Sequence, residues 1–269
     1  MTKTATSKDW PILLSTGTRQ DFFNMLYLKQ KGEFMLERNM IVAGDFHAGF
    51  TDKKAMRSFE QVLADNFYTD YVVLGDVVDW DSISKFALGR PGLLVRRIAD
   101  QSKEAKETLA RHISLLERNN PQVRLYFCTG NHEYRLEDYI ERNPALSGLL
   151  SLQELLGLDY LGFTCYPIGD ILKIGQVSFC HGVKHGVNHA RGTAMQSQTP
   201  YIVYGHVHSL EAGTTQGFGG AKERAFSAGC LCSLKMGYQK KQGYANNWEH
   251  GYVEVKIKGP KVNILQHRL

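Results

Sequence analysis

The 269-residue sequence contains no apolar run of about 18 residues, the length that a membrane-spanning helix requires. Its first ten residues, MTKTATSKDW, lack the apolar core of a secretory signal peptide. Its five cysteines are odd in number and scattered, without the spacing of a disulfide framework. These absences predict a reduced, cytoplasmic protein with no membrane partner.

Internal repeats and low-complexity tracts are also missing, which excludes coiled coil, collagen and disorder as descriptions of the whole chain. Hydrophobic residues make up 43% and charged residues 22%, as in ordinary globular proteins. The formal net charge of +5 is mildly basic. Such a charge is compatible with a phosphate-bearing substrate but does not by itself indicate a nucleic-acid-binding domain.

The first 38 residues differ from the rest. A polar segment interrupted by Pro11 and Gly17 precedes a short amphipathic helix predicted over Arg19 to Lys31. We predict an N-terminal extension over residues 1–38, either packed on the core or contacting a partner, followed by one domain over residues 39–269.

Strands and helices are predicted to alternate through that domain. Apolar runs predict strands over residues 40–43, 71–74, 123–128 and 201–204, and two strands around Gly175 and Gln176. Helical spacing covers residues 52–67, with Asp52 as N-cap, and residues 93–118. Alternation in the tail predicts two paired strands around Gly259 and Pro260.

Five of the predicted strands end directly in polar residues that can bind metals. In chain order these residues are Asp45 and His47, Asp76 and Asp79, Asn131 with His132 and Glu133, His181, and His206 with His208. Each short motif alone is more often a turn or a cap, but their ordered occurrence at five strand ends is specific. Because sites in open α/β sheets form beyond the carboxyl ends of strands, the pattern predicts one site built from five loops.

Carboxylate oxygens and imidazole nitrogens suit divalent cations such as manganese, iron, zinc or cobalt. No cysteine belongs to the five loops, which argues against a closed structural zinc site. A metal pair about 3.5–4 Å apart would stabilise both the attacking and the leaving oxygen of an in-line displacement. Such a pair needs one carboxylate that reaches both ions.

The ordered motifs D-x-H, G-D-x-x-D, G-N-H-E, H and G-H-x-H resemble those of the calcineurin-like metallophosphoesterase superfamily. Together with Trp80 and the aromatic residues Tyr238, Tyr244 and Trp248, they are similar to its phage and bacterial members. The resemblance covers about Met40 to Ser209. It implies an α/β fold, a four-layer sandwich of two packed mixed sheets flanked by helices, with the C-terminal strands in the second sheet. It also implies the metal ligands: Asp45, His47 and His208 for one ion, Asn131, His181 and His206 for the other, and Asp76 as the bridge.

The same resemblance implies a dinuclear metal-dependent phosphoesterase that uses metal-activated hydroxide. Manganese is the first expectation, and iron, zinc, nickel, cobalt or magnesium would suit the same ligands. His132 is expected to protonate the leaving oxygen, with Asp79 assisting it, and Asn131 to contact the phosphoryl group. Glu133 is expected to be a structural hydrogen-bonding residue.

One departure bears on the substrate. Phosphoprotein phosphatases carry Arg-Gly after the second motif, where this chain has Trp80-Asp81, and an indole does not replace a guanidinium. Arg135 is a candidate for binding phosphate instead, and a surface or capping role is the alternative. The mildly basic charge and the basic and aromatic residues over 238–244 favour a nucleotide or nucleic-acid phosphodiester as substrate, and an ordinary solvent-facing loop is the alternative for that segment. A phosphomonoesterase or protein phosphatase, a non-catalytic scaffold and any oligomeric state remain open.

Two further motifs allow more than one interpretation. His185 and His189 have i, i+4 spacing, which fits a solvated loop, substrate contacts or additional metal ligands. Cys230 and Cys232 form a C-x-C fragment with no second pair, which predicts small core residues on a strand.

Overall fold

The computed structural model describes residues 37–85, 97–182, 184, 186–216, 220, 222–235 and 247–269. The N-terminal helix predicted over residues 19–31 and the basic, aromatic loop over 238–244 lie outside these residues, as does His185. The first described strand begins at Glu37. The boundary placed between residues 38 and 39 stays a prediction.

Strands and helices alternate along the described chain, as the apolar runs predict. The strands are β1 (Glu37–Ala43), β2 (Asp70–Val73), β3 (Arg124–Cys128), β4 (Phe163–Tyr166), β5 (Leu172–Ile174), β6 (Val177–Cys180), β7 (Tyr201–Tyr204), β8 (Ala212–Gln216), β9 (Lys222–Ser227), β10 (Gly251–Lys258) and β11 (Lys261–Arg268). The α-helices are α1 (Lys53–Asp65), α2 (Ile98–Glu117), α3 (Asn131–Arg142), α4 (Leu152–Leu156) and α5 (His189–Ala194). Among these residues, no helix has the length and apolar character needed to cross a bilayer.

Helix α1 shows how local sequence sets an element. The Asp52 carboxylate accepts hydrogen bonds from the backbone N–H groups of Lys54 and Ala55, at 2.9 and 3.0 Å, so it caps the helix as predicted. Phe59 and Leu63, four residues apart, are fully buried on one face of the helix. That face joins the core cluster that also contains Tyr71 of β2 and Phe127 of β3.

The strands form two mixed sheets, which confirms the predicted fold class. One sheet has six strands in the order β11-β10-β1-β2-β3-β4, and the other has five in the order β5-β6-β7-β9-β8. Strands β1 to β4 run parallel to their neighbours in sequence, and β6, β7 and β9 are parallel in the second sheet. The parallel strands therefore direct their carboxyl ends, and the loops that follow, toward one edge of each sheet.

The expected position of the C-terminal strands was wrong. Strand β10 pairs antiparallel with β1, with Met40 opposite Val255, and β11 pairs with β10. The two strands therefore extend the six-stranded sheet. Alternation of buried and exposed residues shows which face of β10 is apolar, but it carries no information about which strand edge is available to it.

Candidate active site

The loops after β1, β2 and β7 leave their strands through strained backbone. Asp45, His47, Asp76, His206 and His208 all have left-handed φ angles, of 54°, 48°, 49°, 74° and 59°. This region is sparsely populated by residues other than glycine and costs of the order of 1–3 kcal/mol for each residue. All five are residues that the sequence selects as candidate ligands. Among the described residues other than glycine, Trp80, with a φ of 43°, is the sixth in this region, so most of this strain lies at the site.

Three of these side chains form one cluster. His47 Nε2 lies 3.2 Å from His208 Nε2, and His208 Nε2 lies 3.0 Å from Asp45 Oδ1. Asp45 Oδ1 is 3.9 Å from His47 Nε2. All three residues are buried. The structure thus brings together the three residues expected to share the first ion.

A second cluster surrounds His181. Its Nε2 atom lies 3.0 Å from Asn131 Oδ1, 3.2 Å from His206 Nδ1 and 3.2 Å from Asp76 Oδ2. The opposite ring nitrogen, Nδ1, lies 2.7 Å from the Leu74 carbonyl oxygen and donates to it, so Nε2 faces the cluster and would offer its lone pair to a cation that displaces the Nε2 proton. The residues expected to share the second ion are therefore also together.

Asp76 lies between the two clusters. Its Oδ2 atom is 3.9 Å from His47 Nε2 in the first cluster and 3.2 Å from His181 Nε2 in the second. Its other oxygen accepts a 2.8 Å hydrogen bond from the backbone N–H of His132, which fixes the carboxylate. One buried carboxylate is thus within reach of both groups of ligands, as a bridge requires.

The donor set fits divalent cations. Asp45 Oδ1 is buried and makes no hydrogen bond, although His208 Nε2 is 3.0 Å away. Ligand atoms bound about 2.0–2.1 Å from one ion lie about 3.0–3.4 Å from each other. In both clusters the closest pairs of potential ligand atoms are separated by 3.0–3.2 Å. Converging lone pairs without enough protons to pair them are the arrangement that a cation stabilises.

The charges at the site favour a cation as well. Burial opposes the ionisation of Asp76, but the His132 and His181 imidazoles outweigh burial and hold the pKa of Asp76 well below its ordinary value. Burial also lowers the pKa of His181, but Asp76 and Asp45 outweigh it and raise that pKa to about 10. The carboxylates thus stabilise positive charge at the position of the second cluster.

His132, Asp79 and Arg135 form a separate group beside the clusters. His132 Nδ1 lies 2.9 Å from Asp79 Oδ1, and His132 Nε2 lies 3.0 Å from Arg135 Nη2. A guanidinium only donates, so in this arrangement His132 accepts at Nε2 and carries its proton at Nδ1, toward Asp79. Arg135 also donates to the Asp79 carbonyl oxygen, so its side chain faces the site from α3.

Glu133 supports the loop that holds Asp76. Its carboxylate accepts hydrogen bonds from the backbone N–H groups of Asp76 at 2.8 Å, Val77 at 2.7 Å and Gly130 at 2.8 Å. The side chain is 1% exposed and does not line the cleft. This geometry agrees with the structural role expected for it.

Trp80 does not reach the cleft. Its side chain is fully buried, and its indole N–H donates to Ser102 Oγ at 3.2 Å. Its backbone N–H donates to Gln101 Oε1 at 2.8 Å, which ties the loop after β2 to α2. Trp80 is therefore a packing residue and does not substitute for a phosphate-binding arginine.

Sequence patterns missed part of the site. A cleft of about 530 Å³ beside the clusters is also lined by His189, Ser209, Glu211 and Trp248. Cys232 Sγ lies 3.7 Å from His208 Nδ1, behind the ring nitrogen that faces the first cluster. Spacing marks His189 and the C-x-C fragment, but no motif connects Glu211 or Cys232 with the five loops.

Comparison with known proteins supplies the family context. The model of the calcineurin-like phosphoesterase family matches residues 39–210. Relatives named Gene 54 protein, from Mycobacterium phages D29 and L5, are 25% and 26% identical, and each alignment covers 84% of this chain and 92% of the relative. The crystal structure of a Vps29 single mutant from Entamoeba histolytica aligns with a TM-score of 0.44 at 14% identity, covering 86% of this chain and 92% of that chain.

Proposed function

Because the chain belongs to the calcineurin-like phosphoesterase family, we propose that it is a dinuclear metal-dependent hydrolase of phosphate esters, acting on a nucleotide or nucleic-acid phosphodiester. The observation that carries the proposal is the position of Asp76, whose Oδ2 atom faces His47 in one cluster and His181 in the other. Structural metal sites are closed by protein ligands, whereas these two adjacent clusters open to a cleft, as in catalytic sites.

The proposed ligands fall into two sets, which correspond to the two clusters of neighbouring side chains. Asp45, His47 and His208 would hold one ion, Asn131, His181 and His206 would hold the other, and Asp76 would serve both. When bound, two such ions lower the pKa of a water and neutralise charge on the phosphoryl oxygens. Manganese is our first candidate, with iron, zinc, nickel, cobalt and magnesium compatible with the same oxygen and nitrogen donors.

Residues beside the two clusters act directly on the substrate. We propose that His132 donates a proton from Nε2 to the leaving oxygen, while Asp79 orients the ring through Nδ1. For this step, Nε2 leaves its contact with Arg135 and takes up a proton from water, and the resulting imidazolium passes that proton to the leaving oxygen of the substrate. The released guanidinium of Arg135 then binds a phosphoryl oxygen, next to Asn131.

The substrate assignment rests on what the cleft presents. Buried Trp80 occupies the position of the arginine that binds phosphate in phosphoprotein phosphatases, which argues against a protein phosphatase. Trp248 lines the cleft and gives it an aromatic surface of the kind on which a nucleobase stacks. These features support a nucleotide or nucleic-acid ester.

The test is a hydrolysis screen with an aryl phosphomonoester and an aryl phosphodiester, with manganese, magnesium, zinc and nickel added separately. We expect metal-dependent hydrolysis, with preference for the diester. Asp76→Ala should abolish it and lower the bound metal content, whereas Tyr160→Ala, at a side chain 88% exposed, should change neither. Full activity of Asp76→Ala would show that the bridging assignment is wrong.

A second comparison tests the proton donor. His132→Ala should slow hydrolysis by about 10²–10⁴ for an alkyl leaving group, and by less for an aryl one, which needs less protonation. An equal effect on both leaving groups would contradict the role of His132. Absence of both bound metal and hydrolysis in the unsubstituted protein would instead favour a non-catalytic scaffold.

A further inference from the structure

The cleft extends beyond the candidate metal ligands. Besides ligand residues such as Asp76 and His206, it is lined by His189, Glu211, Asn247 and Trp248. Its volume of about 530 Å³ falls within the range of small-molecule sites, about 300–1,000 Å³. These last four residues, which we call the distal wall, have no role in the proposed reaction.

A buried chain of hydrogen bonds fixes one group on the distal wall. The Tyr204 hydroxyl lies 2.6 Å from His189 Nδ1, and His189 Nε2 lies 2.9 Å from Glu211 Oε2 and 3.0 Å from Ser209 Oγ. Donation from Tyr204 to Nδ1 and from Nε2–H to Glu211 satisfies both nitrogens of a neutral ring. His189, which the sequence leaves open as a metal ligand or a substrate contact, therefore holds Glu211 in place, because neither ring nitrogen faces the clusters.

Glu211 and Trp248 offer complementary surfaces to a ligand. The Glu211 side chain is 37% exposed where it lines the cleft, and a carboxylate accepts hydrogen bonds from hydroxyl and amino groups. The Trp248 ring centroid lies 4.0 Å from that of His208, so an aromatic surface adjoins the first cluster. A group that combines a flat ring with hydrogen-bond donors would contact both.

The charge of the cleft limits how large that ligand is. Among the described residues that line it there is no lysine or arginine, and its carboxylates are Asp76 and Glu211. A groove that follows a polynucleotide backbone needs cationic side chains along its length. The described part of the lining therefore suits one nucleoside next to the reacting phosphate better than a strand with several phosphates.

We propose that the distal wall is a nucleoside subsite, in which Trp248 stacks on the base and Glu211, held by His189, accepts hydrogen bonds from the sugar or base. The inference builds on the proposed phosphoesterase function and narrows its substrate to small nucleotide esters. Trp248 and Glu211 are specificity residues in this proposal, and His189 is a positioning residue.

The test compares two diesters with the same leaving group, the p-nitrophenyl ester of thymidine 5′-monophosphate and methyl p-nitrophenyl phosphate. We expect kcat/KM to favour the nucleoside ester by at least about 10-fold, the size of one stacking contact. Trp248→Ala should remove most of that preference and Trp248→Phe should keep most of it. Glu211→Gln should reduce it about fivefold, and exposed Tyr160→Ala should leave it unchanged.

A binding measurement makes the test independent of hydrolysis. Thymidine 5′-monophosphate should quench tryptophan fluorescence in the unsubstituted protein, and Trp248→Phe should abolish that quenching. Quenching without hydrolysis of any ester would refute the proposed function while supporting the subsite. Equal kcat/KM for the two diesters, no quenching, or tighter and steeply salt-dependent binding of a single-stranded oligonucleotide would each overturn the subsite.

Discussion

Nδ1 of His47 lies 3.0 Å from Oδ1 of Asp79. The same oxygen lies 2.9 Å from Nδ1 of His132, so one buried carboxylate faces two imidazoles with different proposed roles. Burial opposes ionisation of Asp79, but hydrogen bonds from His132 and His47 outweigh it and lower the pKa of the carboxyl group. Asp79 therefore accepts from both rings and sets the direction of each Nε2 atom.

This arrangement predicts a double effect of Asp79→Asn. Loss of the charged acceptor should weaken metal binding about 10–100-fold through His47, and should also lower kcat through His132. His132→Ala should lower kcat alone, because His132 lies beside the clusters. Metal affinity measured by competition with a chelating dye separates the two variants, and an unchanged affinity in Asp79→Asn would contradict the role assigned to Asp79 in orienting His47.

Arg135 gives a prediction about KM. If the guanidinium binds a phosphoryl oxygen, Arg135→Lys should raise KM about 10-fold and change kcat less, because an ammonium group does not form the paired hydrogen bonds of a guanidinium. Arg142→Ala, on the same helix and paired with Asp138, is the matched control and should leave KM unchanged. A purely structural Arg135 would instead show a lower melting temperature with an unchanged KM.

Much of the site could be predicted from the sequence because the five loops each follow a short apolar strand. A parallel sheet places such loops at one edge, so residues as distant as Asp45 and His208 could be assigned to one place without a structure. The distal wall could not be predicted in this way. A side-chain contact between His189 and Glu211 places Glu211 in the distal wall. Neither residue belongs to the motifs at the five strand ends.

The pairing of strand β10 with β1 could not be predicted from the sequence either. Residues 251–265 predict paired strands correctly, but their partner β1 lies more than 200 positions earlier. A residue-alternation pattern reports burial of one face and leaves the hydrogen-bonding neighbour undetermined. Contacts between distant segments, such as that between Cys232 and His208, are likewise absent from any local pattern.

Glu133 predicts a loss of stability that is separate from chemistry. In Glu133→Gln one carboxylate oxygen becomes an amide NH2, which cannot accept hydrogen bonds, so either the bond from Val77 to Oε1 or the bonds from Asp76 and Gly130 to Oε2 are lost. A buried N–H left unpaired costs about 1–3 kcal/mol. Urea denaturation should show this decrease in the free energy of unfolding, while Glu137→Gln at an exposed position of α3 should not. Equal stability of the two variants would rule out the supporting role.

His112 on α2 is a buried histidine that belongs to none of the five loops. Its ring packs against Phe46 and Phe59, with centroid distances of 5.6 and 5.4 Å, and its Nδ1 atom lies 2.8 Å from the Tyr71 hydroxyl. Burial, with a smaller contribution from Arg111, lowers the pKa of His112 to about 3. The folded protein therefore keeps this ring neutral at pH values where an unfolded chain would protonate it.

This difference makes the stability depend on pH in a defined direction. Between pH 6.5, the ordinary pKa of histidine, and pH 3, the unfolded state binds a proton that the folded state does not, so the free energy of unfolding should fall by about 1.4 kcal/mol per pH unit. Above pH 7 His112 should contribute no slope. Urea denaturation of the unsubstituted protein and of His112→Gln at several pH values isolates this contribution, because their carboxylates titrate alike. Parallel curves for the two proteins between pH 6 and 4 would show that His112 is not excluded from protonation.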